Sequence, residues 1–291
     1  HRVATDRLMS HGEQPCARAE STGKKVAVIG AGPAGLMAAL EAGRAGLDVI
    51  LADEDVQAGG RLLSETYAVG GVSGVEWAGG VIAELGALDN VRIMPRTTIT
   101  GAYDQGSYGA LERIAPRVGA PRACFWRIVA KRSILAAGAL ERPVAFQNND
   151  RPGIMTASAV RSYLNRWGVA PGRNVVVFGN NDDAHRTAHD LQAAGVHVAA
   201  LVDSRHDVEV SGDLPVFKGA EVCGSGGRKG LESVTIRTQS GTEKVATECL
   251  AMSGGWNPSV HLTCHMNGRP KWREDIASFV PRHGAIPGML V

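Results

Sequence analysis

What the sequence has little of narrows its class before any motif is read. Aromatic residues make up 5% of the chain, too few for a core of stacked rings. The many alanines and 37 glycines point instead to the close helix–strand packing of α/β folds. Neither sign of charge is in surplus. Lys plus Arg exceed Asp plus Glu by two, which gives no basic field for nucleic acid and no acidic tail. Long apolar runs are missing too: the uncharged stretch at residues 26–40 is too short and too rich in glycine to span a bilayer. No charged segment followed by an apolar one opens the chain, so no secretion signal is visible. Cys16, Cys124, Cys223, Cys249 and Cys264 contain no CxxC or CxxxxC pair. An odd, scattered set is expected of reduced thiols in the cytoplasm, and it excludes a reductase that works through a local dithiol. The length allows two domains with cores of their own.

What is present is a repeated α/β pattern. KVAVI, residues 25–29, is a short apolar strand, and GAGPAG follows it. LMAALEAGRAG predicts a helix ending near Gly46, and DVILAD predicts a second strand. Further on, VEWAGGVIAELGAL predicts a helix, NVRIMPRTTITGAYD a strand, turn and strand, and FWRIVAKRSILAAG a hairpin arm with a buried strand. RPGIMTASAVRSYLNRWGVAPG predicts a helix stopped by Gly and Pro. NVVVFG, AHRTAHDLQAAG and HVAALVD then repeat the β-α-β layout, and VTIRTQSGTEKVATECLAMSGG reads as a polar hairpin feeding an apolar strand.

The expected fold class is α/β: two Rossmann-like, three-layer nucleotide-binding domains, the second inserted into the first as in glutathione reductase. Residues 23–148 with 254–291 are expected to form the first, cut short at its C-terminal end. Residues 149–253 form the second, and residues 1–22 a linker or the remnant of an upstream domain. The start at His1 without methionine and the stop in an apolar segment lead to the expectation of a piece of a longer protein.

Gly30, Gly32 and Gly35 form a GxGxxG set. The first glycine permits a tight turn, the second lets backbone approach a pyrophosphate, and the third lets the helix pack on its strand. Unpaired amides and the positive dipole end at the helix start attract phosphate. Asp53 closes the next strand, where an acid accepts ribose hydroxyls and repels a 2′-phosphate, favouring NAD or FAD over NADP. Gly59 and Gly60, with Arg61 after them, match the glycine pair that lies near the pyrophosphate in two-domain flavoprotein folds. ILAAGALERP, which contains Ala137 and Gly138, matches the turn before the chain crosses to the second domain, and LAMSGGWNP the segment where it crosses back.

The second copy reads Gly179, Asn180, Asn181, Asp182, Asp183, Ala184. Asn181 stands where the second glycine should be, with a side chain in the pyrophosphate's space. Asp182 and Asp183 are expected to serve the helix amides as cap and first-turn residues, and as carboxylates near a dianion they oppose it by about 1–4 kcal/mol each. The expectation is a half that keeps its fold and binds no dinucleotide, so that hydride relay between two nucleotides within this chain is disfavoured. His185 and His189, one helical turn apart with Asp182 nearby, hold the histidine spacing of a metal site but lack a soft third ligand. His261, Cys264 and His265 match no zinc template. No GxSxG elbow occurs, and no residue is singled out as catalytic or as a metal ligand.

Several long stretches together resemble the α subunit of heterotetrameric sarcosine oxidase and, more broadly, of related amine, opine and proline oxidoreductases. They are VILADEDVQAGGRLLSE, IMPRTTITGAYD, WRIVAKRSILAAGALERPVAFQNNDRPGIMTASAVRSYLNRWGVAPGRNVVVFGNNDDA and LAMSGGWNPSVHLTCHMNGRP. The resemblance implies NAD held in the first Rossmann-like site as a tight ligand without a redox role. It implies sarcosine oxidation at FAD on a β subunit, FMN at the α/β interface, and γ and δ subunits completing the complex. The products would be glycine, peroxide and a one-carbon unit passed to tetrahydrofolate. Carried over by motif, Gly30, Gly32, Pro33, Ala34 and Gly35 would touch the pyrophosphate. Asp53, Glu54 and Asp55 would hold the adenosine ribose and its surroundings, Gly60 and Arg61 would flank the pyrophosphate, and Ile99 would lie near adenine. The competing expectations are FAD in the same site, as in an FAD-dependent NAD(P)H oxidoreductase, and the α subunit of a related opine, proline or cyanide-forming amine dehydrogenase.

Overall fold

A computed structural model of the chain describes residues 25–116, 121–282, 284 and 286–291; the linker expected at residues 1–22 lies outside them. The chain forms two compact units, one built from residues up to Leu62 with Ala68–Gly138 and Pro258–Val291, the other from Leu63–Tyr67 and Ala139–Asn257.

In the first unit, five parallel strands lie in the order Met289–Leu290, Arg132–Leu135, Val26–Ile29, Val49–Ala52, Val91–Met94. Val26–Ile29 is buried at every position because both faces of the sheet are covered, as a central parallel strand requires. Alternation along the strand assigns the faces. Val26 and Val28 pack with Leu36, Ala39, Leu40, Ala78 and Leu85 from the helices Pro33–Arg44 and Gly74–Gly86. Ala27 and Ile29 pack with Ala102, Tyr108, Ala110 and Ile128 from an antiparallel sheet of Thr97–Tyr103, Ser107–Arg113 and Ala123–Val129. Each fully buried Leu or Val contributes roughly 1.5–3 kcal/mol.

The second unit repeats the three layers. Its parallel strands run Ile154–Thr156, Cys249–Ser253, Asn174–Gly179, His197–Asp203, Val216–Lys218. Helices Ala157–Arg161 and Asp182–Ala193 cover one face through Val160, Ala184, Ala188 and Leu191. Glu221–Gly226, Ser233–Thr238 and Gly241–Ala246 cover the other through Val222, Val234 and Ile236. Chain and sheet therefore follow one plan twice, and the two-Rossmann α/β class expected above is the observed one.

One element differs from its sequence reading. The run expected to be wholly helical opens with a strand, Ile154–Thr156, parallel to residues 250–252. Gly153, in left-handed conformation, turns the chain alongside its neighbour, where any Cβ would press on the Glu248 carbonyl oxygen. The helix begins only at Ala157 and widens into a π-turn at Ser162–Arg166. Among the described residues no helix is long and apolar enough to cross a membrane.

Candidate functional site

The first glycine turn is held open by its own backbone. Gly30 has φ of 102°, and a Cβ there would overlap the Ala136 carbonyl oxygen; a Cβ on Gly35 would overlap the carbonyl oxygen of Gly30. Both positions thus demand glycine, and the helix can sit against the strand. Gly32 is different. A Cβ built on it meets nothing within 4 Å, so the space above the helix start is free, as a diphosphate would need. The helix begins at Pro33 with no side-chain cap and no acid in its first turn, and its start keeps its positive end. Gly60 backs onto this turn: its Cβ would lie 2.9 Å from the Gly32 Cα.

Asp53 is built into the same turn. Its Oδ2 accepts the Ala31 amide and its Oδ1 accepts the Asp55 amide at 2.8 Å. The Asp53 carbonyl accepts Thr97 N–H at 2.7 Å, and the Asp55 carbonyl accepts Arg96 N–H at 2.9 Å. Asp53 thus stands beside the glycine turn at the strand end, with acceptor lone pairs beyond those two amides. Gly138, also left-handed, ends the neighbouring strand turn with open space at its Cβ position. Pro33, Ala34, Glu54, Arg61 and Ala137 are exposed around this mouth. Ile99 is half-buried and packs on the sheet core.

The second turn is filled from within. Asn181 is the N-cap: its Oδ1 accepts the Asp183 amide at 3.0 Å, and its Nδ2 donates to the carbonyl and hydroxyl oxygens of Ser253, each at 3.1 Å. The capping role expected of Asp182 and Asp183 therefore belongs to Asn181. Asp183 instead accepts the Trp256 indole N–H at 2.6 Å and pairs with Arg186 at 3.1 Å, while Asp182 pairs with Arg205 at 2.9 Å. Asp203, the counterpart of Asp53 at the end of the second strand, is fully buried. Arg205 donates to it through the backbone amide and, bidentately, the guanidinium, and His185 lies 2.6 Å away. Burial pushes the Asp203 pKa up, but the Arg205 side-chain and backbone bonds and His185 outweigh it and hold the carboxyl below its usual range. Here the acid that in the first unit borders an open turn is consumed by an internal cation.

The histidine pair also divides. His185 faces Asp203, and His189 lies 3.4 Å from Ser211 Oγ; no group of three metal-ligating side chains occurs among the described residues. Cys249 is buried, its thiol pushed up to about 12 by burial, and is inert as a nucleophile. Ala31, Asp203, Arg205 and Ser253 carry weight that motif matching did not assign. The signal for Asp203 was the repeat itself, since it ends its strand as Asp53 does.

Residues 24–212 match the family described as pyridine nucleotide-disulphide oxidoreductase. The sarcosine oxidase subunit alpha of Rhizobium meliloti (strain 1021) is 45% identical over 271 residues, 91% of this chain and 27% of that protein. The sarcosine oxidase subunit alpha of Corynebacterium sp. (strain U-96) is 36% identical over 294 residues, 91% of this chain and 30% of that protein. The chain thus spans under a third of the length of these relatives. L-proline dehydrogenase from P. horikoshii shares the fold, with a TM-score of 0.72 at 22% identity over 93% of this chain and 51% of that one. The chain belongs to the pyridine nucleotide-disulphide oxidoreductase family, and over nine-tenths of its own length it is similar to sarcosine oxidase α subunits.

Proposed function

We propose that this chain is the nucleotide-binding part of a sarcosine oxidase α subunit and that it holds one NAD at the first glycine turn. The observation that carries the reading is the open, uncapped helix start at Gly32 beside Asp53, set against a second turn whose equivalent positions are taken by Asn181 and Arg205. The residues present fit the cofactor. Gly30, Gly32, Pro33, Ala34 and Gly35 would line the diphosphate, and Gly60, Arg61, Ala137 and Gly138 would flank it. Asp53, with Glu54 and Asp55, would take the ribose, and Ile99 would border adenine. Bound there, NAD supplies adenosine and diphosphate contacts that stiffen the turn and has no redox part. Sarcosine oxidation then belongs to a cytoplasmic complex with β, γ and δ subunits, FAD on the β subunit and FMN at a subunit interface.

Family membership favours a second reading, FAD in the same turn of an NAD(P)H oxidoreductase or of a related opine or proline dehydrogenase subunit. One experiment divides the two. The purified protein is denatured and the released nucleotide is identified by chromatography, with its absorption spectrum recorded before and after adding NADH. A colourless protein releasing NAD, with sarcosine-dependent peroxide on reconstitution with its partners, is the expected result. A yellow protein bleached by NADH would replace the first reading with the second.

A further inference from the structure

One position of the first unit holds a side chain that its backbone disfavours. Arg96 follows the strand Val91–Met94 with φ of 55°. Glycine enters this left-handed region without steric cost, and other side chains seldom occupy it. The turn is fixed by its amides: Arg96 N–H donates to the Asp55 carbonyl at 2.9 Å, and Thr97 N–H to the Asp53 carbonyl at 2.7 Å.

The second unit builds the same turn with a different residue. Gly219 follows the strand Val216–Lys218 with φ of 59°. Its N–H donates to the Arg205 carbonyl at 3.0 Å, and Ala220 N–H donates to the Asp203 carbonyl at 3.1 Å. The correspondence runs residue for residue: Asp53 with Asp203, Asp55 with Arg205, Arg96 with Gly219, Thr97 with Ala220. In the unit whose phosphate-type turn is filled, the left-handed position is glycine, and the His206 ring comes within 2.2 Å of where its Cβ would stand. In the unit whose turn is open, the same position carries an exposed arginine. Among the described residues no hydrogen bond or ion pair engages its guanidinium. The backbone favours glycine in both places, so what arginine contributes is its side chain.

Its place says what that side chain meets. Val26–Ile29, Val49–Ala52 and Val91–Met94 are successive neighbours in the parallel sheet, with Ala52 beside Met94. Asp53 and the Arg96 turn therefore leave adjacent strands, about 5 Å apart, at one carboxyl edge. Along that edge a dinucleotide meets the Gly30–Gly35 turn with its diphosphate, Asp53 with its ribose and the Arg96 turn with its base. We infer that Arg96 is an adenosine-binding residue whose planar guanidinium lies against the adenine ring. A guanidinium stays charged while it stacks on an aromatic plane. The inference rests on the reading of the first turn as the dinucleotide site.

The test uses the full chain stripped of nucleotide. Arg96→Gly removes the side chain and relaxes the backbone. It should melt at or above the wild-type temperature yet bind both NAD and ADP-ribose about tenfold more weakly by calorimetry. The two losses should be equal, because ADP-ribose keeps the adenosine. Arg96→Lys keeps the charge and the strain without the plane, and should stay weaker than wild type for both ligands. Wild-type affinity in Arg96→Gly, a loss confined to NAD, or full affinity in Arg96→Lys overturns the inference and leaves the site standing. Where Arg96→Gly melts below wild type, Arg96→Asn, which also tolerates the left-handed region, decides by the same readouts. Failure of the wild-type chain to bind NAD overturns the site reading and this inference with it.

Discussion

At the scale of single residues, Asp53 and Asp203 show how one side chain in one place can do opposite things. Both end the second strand of a β-α-β unit, yet Asp53 is bonded to two backbone amides and Asp203 to a guanidinium and an imidazole. Asp53 is at once part of the turn and part of its expected ligand shell, so its variants should separate the two. Asp53→Asn keeps an acceptor for one amide and loses the charge. It should weaken NAD binding by about tenfold while costing about 1 kcal/mol of stability. Asp53→Ala leaves the Ala31 amide without its acceptor and should cost about 1–3 kcal/mol as well. Thermal unfolding with NAD titration checks both, and an Asn variant with wild-type affinity would remove Asp53 from the ribose. The glycines and Asp53 were legible because each answers a local demand within one β-α-β unit. Arg205 was missed although it lies two residues from Asp203. Nothing in an arginine after a strand says that it will turn back. The Arg161–Glu65 pair joins positions 96 residues apart, and only the folded chain brings them together.

At the scale of elements, the two turns differ by how near the helix comes to its strand. Gly35 admits the helix until a methyl would strike the Gly30 carbonyl; Ala184, its counterpart, is buried with its methyl close to Gly179. Exchange of the two residues should therefore be asymmetric. Gly35→Ala must push the helix start away or strain the turn, costing about 1–3 kcal/mol and most of the NAD affinity. Ala184→Gly loses one buried methyl and adds glycine flexibility to a helix, each worth about 1 kcal/mol, with nucleotide binding unchanged. Equal effects on affinity would mean that helix–strand distance does not govern the site. The repeat itself was visible in sequence, but its one irregularity was not. Asp53 lies 23 residues after Gly30, and Asp203 lies 24 after Gly179. The register shows why: Val175 pairs with Val198 but Val176 with Ala200, so Ala199 is an inserted bulge residue. The strand at residues 154–156 was hidden for a related reason, since three apolar residues before a helix carry no period of their own. Both three-stranded antiparallel layers owe their inward faces to alternation that is clear only once the partner strand is known.

At the scale of the whole molecule, the two units have separate cores, and two different chemical variables should act on them. A ligand that binds only the folded first unit stabilises it by about 2.7 kcal/mol at a hundredfold excess over Kd. The second unit has no such ligand in this reading, but it carries Asp203, whose folded pKa is depressed. A carboxyl of that kind contributes its stability above its unfolded value, near 3.9, and loses it as pH falls through the lower folded value. Protonating it also removes a partner from Arg205 in a site with no water access at the carboxylate. Thermal unfolding should therefore resolve into two transitions with independent handles. Saturating NAD should raise one, reported by Trp77 and Trp126 of the first unit. Lowering the pH from about 4 should depress the other, reported by Trp167 and Trp256 of the second. Asp53→Asn should abolish the first response and leave the second, and Asp203→Asn should flatten the second and leave the first. A nucleotide shift carried by the Trp167 and Trp256 transition, or an acid response unchanged in Asp203→Asn, would show that the division of labour between an open turn and a filled one is wrong.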